Sequence, residues 1–402
     1  MARRPVLGPL TTANERLVAL EVIRQVLLLR FSLHVRQLMV DALNATEQPI
    51  GRLVRDALRT DAGLRDPAQV RQLDRLIDQI NAMREPAWQA GGTAVEAEMV
   101  ALGDAEPEEQ RDLFTFLLPG LSMLLPTGVG LAAAALPFQG RTLRQWLADA
   151  RQDDARRIRQ ALYAGAAAGE DPATVARRVL GTASAKGTDG ATQVSRNHVD
   201  TIVRSATTHF GAVARDQFYR ANAAVRYVAP PLGTARPLPR PLALGTVADS
   251  AVAAAARQAS QAAAAAAALA GGRGEPVGKA VFLLEQFVAI LDSRTTKLCR
   301  GLDGNRYKLG EGPVPPLHLN CRSNRVLVLP EALGGPLYDP GEYGDWVRRQ
   351  PFAAQVLLMG ASRAGGVRDG KVDPGGFMDY GARPTTLGQV RDEVRRLMGS
   401  YQ

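Results

Sequence analysis

Three side chains in this 402-residue chain have the softness and spacing to act together, namely Cys299, His318 and Cys321, in the arrangement C-x18-H-x2-C. They include both cysteines and one of the four histidines. As metal ligands, His318 and Cys321 would lie within one turn, with Cys299 as a third donor. A closed structural zinc site takes four ligands, and Asp292 is the candidate for the fourth. The two thiols could instead form a disulfide, which persists only outside a reducing compartment. A Cys–His nucleophile pair is a third option, but no orienting group or oxyanion-hole signature accompanies it. In a fourth reading the cysteines are small buried thiols. Asp292 and Asp303 then bond loop backbone, and Gly304 supplies a turn conformation closed to other residues. The fourth reading carries the most weight, because the ligand set is one short.

Whatever these residues do, the segments around them must hold them. "FVAILD" before the loop and "RVLVLP" after it are short apolar runs rich in β-formers. They predict two strands flanking a long Gly/Pro-containing loop, a small α+β unit. Most of the remaining chain reads as helix. Leu20, Ile23, Leu27, Phe31, Val35 and Leu38 recur at three- and four-residue steps, predicting a helix over about 14–43. A more polar helical stretch is expected over about 50–82. Another helix follows Gly140, where "RQDDARRIRQ" reads as a solvated charged face. "EDPATVARRVLG" carries Asp171 as N-cap, Pro172 at the first helical position and Gly181 just past the end. Val199, Ile202, Val203, Ala206, Phe210, Val213 and Phe218 predict a further helix over about 194–223. The expected fold is mainly α with a small α+β domain: long helices in the N-terminal and middle parts, short strands flanking the Cys/His loop.

Two stretches break this pattern. Residues 230–274 are Pro-rich and then Ala-rich, and read as an inserted arm able to reach a neighbour. Leu113 to Phe138 is long and apolar enough to suggest a membrane span. Pro119, Pro126 and Pro137, with Gly120, Gly128 and Gly130, divide it, so a buried pair of short helices is preferred. No stable membrane association is expected. The N-terminus lacks an uninterrupted apolar stretch ending at a small-residue cleavage site, which points to synthesis in the cytoplasm.

The net charge is +9, and lysine occurs only at positions 186, 279, 297, 308 and 371, so arginine supplies most of the positive charge. This suits a polyanionic partner such as DNA. The same arginine, Ala, Gly and Pro usage also matches a GC-rich coding sequence, and no arginine-aromatic cluster stands out.

"LDSRTTKLCRGLDG" followed by "PPLHLNCRS" resembles the signature of the tailed-phage minor head proteins related to the F protein of phage Mu, also called head morphogenesis proteins. The matching positions are Asp292, Arg294, Thr295, Cys299, Leu302, Asp303, Gly304, Pro316, His318, Cys321 and Arg322. "DTIVRSATTHFGAVARDQFYR" is similar to the helix preceding that signature. The stretch from Tyr343 resembles the family's C-terminal extension, with Trp346, Gln350, Pro351, Gln355, Gly360, Arg363, Gly370, Phe377, Thr386 and Leu387 in step. The chain departs from the pattern at Thr296 and Ser323, where many relatives carry further cysteines. The resemblance covers about 143–391, interrupted by the arm.

On this basis the chain divides into an N-terminal helical region (1–140), a helical scaffold (141–228), the Pro/Ala-rich arm (229–275), the signature domain (276–330) and a C-terminal extension (331–402). The resemblance implies a structural virion protein that assists head assembly and DNA packaging near the portal. Its implied partners are the portal protein and other copies of itself, with the major capsid protein and double-stranded DNA as further candidates. It implies no enzymatic activity and no required cofactor, leaving structural zinc as the open exception. Two alternatives stay open: an internal protein ejected with the genome that acts on membranes through residues 113–138, and an enzyme or toxin-like module in the C-terminal part.

Overall fold

The computed structural model describes residues 10, 12–58, 67–182, 184–185, 187–227, 279–281, 284–290, 294–335, 343–373 and 384–401. The inserted arm, Asp292 and Phe377 lie outside them. Seven helices come first: α1 (Ala13–Asn44), α2 (Glu47–Ala57), α3 (Pro67–Leu117), α4 (Val129–Ala135), α5 (Leu143–Ala167), α6 (Pro172–Leu180) and α7 (Ala191–Ala221). Strands β1 (Arg226–Tyr227) and β2 (Lys279–Ala280) pair, and β3 (Leu284–Val288) follows. Next come the short helix α8 (Lys297–Leu302), β4 (Arg306–Lys308) and β5 (Asn324–Val328). Helices α9 (Glu331–Gly334), α10 (Tyr343–Arg349), α11 (Phe352–Met359), α12 (Ala361–Arg368) and α13 (Leu387–Met398) complete the fold.

Helix α1 matches its expected span within one residue at each end. Thr12 and Glu15 form a reciprocal capping box that satisfies two of its otherwise orphaned amides. It is buried almost all round from Leu17 to Leu29, so it acts as a central post rather than an amphipathic surface helix. The expected helix over 50–82 is instead two. Helix α2 ends at Ala57, and α3 runs 51 residues to Leu117, through Pro86 and Pro107. The polar composition of α3 concealed its length, because its inward face mixes Leu73, Ile77, Ile80, Trp88, Val95, Met99 and Leu102 with buried polar residues such as Arg84, Glu106 and Gln110. The expected pair of helices in 113–138 is also changed. Its first residues end α3, before Pro119, and α4 alone is separate. Phe114, Leu118, Val129, Ala133 and Phe138 face the core. Among the described residues no helix is long and apolar enough to cross a membrane.

Helix α6 begins and ends as the sequence indicates. Asp171 Oδ1 accepts from the amides of Ala173 and Thr174, each at 3.0 Å. The charged stretch of α5 differs from expectation at one residue, Asp154, which is 1% exposed. Its Oδ2 accepts from Arg84 Nε (2.5 Å) and Trp88 Nε1 (3.0 Å), and its Oδ1 accepts from the Ser195 hydroxyl (2.6 Å). A carboxylate read as solvated therefore joins α3, α5 and α7.

Both expected strands are present, as β3 and β5. They form an antiparallel three-stranded sheet in the order β4-β3-β5, with Leu284 opposite Val328 and Val288 opposite Asn324. The central strand β3 both begins and ends earlier than "FVAILD", running Leu284–Val288 and sharing only Phe287 and Val288 with it, and β4 lies inside the stretch read as loop. Arg306–Lys308 has no apolar alternation of its own, so only pairing reveals it as a strand.

The sheet is fixed to the helices by buried polar groups. Asn14 Nδ2 donates to Leu329 O and Gly335 O, while Leu329 N donates back to Asn14 Oδ1. Arg325 donates to both Glu285 oxygens (2.8 and 3.0 Å) and to Asp216 Oδ1 (2.7 Å), crossing from β5 to β3 and α7. One apolar core takes residues from Leu10 to Tyr401, so the terminal helices pack on the same post as the sheet.

Candidate metal centre

Two tight local structures present the chemistry-bearing residues. Thr296 is the N-cap of α8, and its hydroxyl accepts from the Cys299 amide at 3.3 Å, which sets Cys299 on the first turn. Opposite it, the Cys321 amide donates to His318 O at 3.1 Å, closing a turn in which Asn320 has φ 59°. Asn tolerates that left-handed conformation better than most residues, and the turn throws His318 and Cys321 to one side. Helix α7 steadies this turn: Thr208 Oγ1 donates to Cys321 O (2.6 Å), and the Asn320 amide donates to Ser205 Oγ (2.9 Å).

The side chains converge. Cys299 Sγ lies 3.1 Å from His318 Nε2 and 3.8 Å from Cys321 Sγ, and the three donor atoms all lie within 4.8 Å of one another. Both cysteines are free thiols buried beside Phe287 and Ala289. His318 is half-buried and Thr296 is exposed, with Thr296 Oγ1 3.0 Å from His318 Nε2. The cluster is thus closed on its cysteine side and open on its threonine side.

The tautomer of His318 follows from its neighbours. Its Nδ1 lies 2.8 Å from Leu319 O, and a carbonyl can only accept, so Nδ1 carries hydrogen. In the neutral ring Nε2 then presents its lone pair toward Cys299 and Thr296. A backbone carbonyl orienting the second ring nitrogen is the usual support of a metal-binding histidine. Hydrogen bonding with Cys321 first, and with Ser323 and Thr296, outweighs burial and holds the Cys299 thiol below its ordinary value. The Cys321 thiol, hydrogen-bonded to Cys299 and buried, is pushed up.

The other signature residues build the frame. Thr295 Oγ1 donates to Ile290 O, and Leu302 packs against the small cluster of Phe287, Ala289 and the two cysteines. Asp303 accepts from the Ala289 amide at 2.7 Å, while burial pushes its carboxyl up to about 6. Gly304 has φ 80°, donates its amide to Phe287 O and accepts from Gln286 Nε2. Arg294 is exposed and Arg322 half-buried. Of the four metal candidates, the structure brings three together; Asp292 lies outside the described residues.

Sequence reasoning missed Glu285, Asp216 and Arg325, which hold the sheet to α7. It also missed Glu21, Arg24, Glu106 and Arg215. Arg24 Nη1 donates to Glu106 Oε1 at 2.9 Å, Arg215 Nε donates to the same oxygen at 2.7 Å, and Arg215 also donates to Asn324 at the start of β5. No spacing within one segment announces such a cluster, because its members come from α1, α3, α7 and β5. No family model, curated protein or solved structure matches the chain.

Proposed function

We propose that this chain is a structural minor head protein of a tailed phage, sited at the portal and capsid interior, where it assists head assembly. One observation carries this reading beyond the sequence resemblance. The three stretches that bear the resemblance pack as one unit: α7 touches the signature turn through Thr208 and Ser205, and Arg215 reaches Asn324. The C-terminal helices close on the same scaffold, with Arg30 donating to Leu357 O and Arg391 pairing with Glu109 at 2.6 Å. Motifs packed into one unit suit a protein whose work is to hold a shape against neighbours.

In this reading the portal protein is the principal partner, with other copies of the chain beside it. Double-stranded DNA is a further partner on the basis of net charge rather than one bare basic face. Several exposed arginines already carry carboxylates, among them Arg144 on Glu96, Arg156 on Asp153 and Arg396 on Glu393. The test is co-sedimentation with purified portal and incorporation into procapsids assembled with and without the chain. Binding to portal and recruitment into procapsids are expected. Failure of both ends the proposal.

A further inference from the structure

We infer that Cys299, Cys321 and His318 form a binding site for a zinc-class divalent cation, with three protein ligands and a fourth, solvent-facing position taken by water. The inference stands on donor geometry. A tetrahedral zinc ion with Zn–S bonds of about 2.3 Å holds two sulfurs about 3.8 Å apart, and Cys299 Sγ and Cys321 Sγ are 3.8 Å apart. With Zn–N of about 2.0–2.1 Å, sulfur and nitrogen would sit about 3.5 Å apart, against 3.1 Å between Cys299 Sγ and His318 Nε2. Admitting the ion requires that edge to open by about 0.4 Å, a small side-chain rotation for a half-buried ring.

Three further features fit the same ion. The Leu319 carbonyl holds Nδ1–H, so the nitrogen facing the thiols is the one with a free lone pair. Two thiolates and an imidazole select a soft or borderline metal over magnesium or calcium. The Thr296 hydroxyl lies 3.0 Å from His318 Nε2 on the exposed side of the cluster, the side left open for a fourth corner. A neutral hydroxyl is a weak zinc ligand beside a thiolate, so water takes that corner and the ion exchanges more readily than in a four-thiolate site. This site is independent of the portal interaction; either can fail alone.

The experiment uses the purified full chain, treated with chelator and titrated with Co2+ and then with Zn2+ against a chromophoric competitor. One equivalent of Co2+ per chain is expected, with a thiolate-to-cobalt charge-transfer band and visible bands of tetrahedral intensity. Zn2+ should displace it. His318→Ala is expected to weaken zinc at least tenfold while keeping the wild-type circular dichroism, since His318 is half-buried and outside the core. Thr296→Cys places a thiolate at the fourth corner and is expected to tighten zinc at least tenfold and intensify the charge-transfer band. Absence of stoichiometric binding, or binding unchanged in both His318→Ala and Cys299→Ser, overturns the inference. Cys299→Ser is read together with His318→Ala, so a folding defect in the former does not decide the result.

Discussion

Replacing Glu106 by Gln tests whether buried charge pairing holds the sheet to the helices. Glu106 is fully buried and lies between two guanidiniums, with Arg24 Nη2 2.6 Å from Oε2 and Arg215 Nε 2.7 Å from Oε1. Gln keeps the size but removes the charge and points an amide donor at groups that can only donate. Arg24 and Arg215, both under 5% exposed, are left with Glu21, 3.6 Å from Arg215, and Glu109, 3.9 Å from Arg24. Breaking a buried pair by removing one partner costs about 3–5 kcal/mol. With an unfolding entropy of about 2.1 cal/mol/K per residue, that loss lowers the Tm of a chain this long by about 5 °C. The pH dependence adds a second readout. Burial pushes the Glu106 carboxyl up, but Arg215 and Arg24 together outweigh it and hold the group below its ordinary value. A depressed carboxyl contributes stability that is present above its unfolded value of 4.5 and lost as pH falls through the folded one. Thermal melts from pH 7 to pH 3 should therefore show a wide gap between wild type and Glu106→Gln at pH 7 that narrows in acid. A variant melting within about 1 °C of wild type at pH 7, with a parallel acid profile, would mean that this buried pairing contributes little to stability.

Two further substitutions probe separate parts of the fold. Asp303→Asn keeps an acceptor for the Ala289 amide while removing a buried charge. Because burial raises the Asp303 carboxyl to about 6 from 3.8, its stabilising contribution is complete below 3.8 and lost as pH rises through about 6. The variant should exceed wild type by about 3 kcal/mol at pH 8 in denaturant melts, with the advantage gone at pH 4. Gly130→Ala would drive a methyl carbon into Val100 O, where α4 crosses α3. A loss of about 1–3 kcal/mol is expected in the same melts, while the control Gly388→Ala, whose added carbon meets nothing within 4 Å, should be neutral or stabilising.

Features that depend on local chemistry are legible in the amino-acid sequence alone. Helix α1 follows from apolar spacing, and helix α6 from the cap at Asp171, Pro172 at its first position and Gly181 past its end. Strand β5 follows from its short β-forming run, while the run before the loop marks the place of β3 but only its last two residues. The grouping of Cys299 with His318 and Cys321 as one candidate cluster follows from residue type and the H-x2-C spacing. Asp303 and Gly304 are legible for the same reason, since a short carboxylate and a left-handed glycine do their work within a few residues.

Relations whose members are far apart in the chain come from tertiary packing. The length of α3 is set by packing rather than by its polar sequence, and β4 exists because β3 offers it an edge. Asp154 looks solvated among its charged neighbours until Arg84, Trp88 and Ser195 arrive from two other helices. The donor cluster itself needed the fold: α7 holds the His318–Cys321 turn, and the sheet brings α8 against it. The Leu319 carbonyl then decides which histidine nitrogen faces the thiols. Burial is the physical reason for the division. It is a property of the assembled chain, and it determines whether a charge is a solvated surface group or a partner that must be matched.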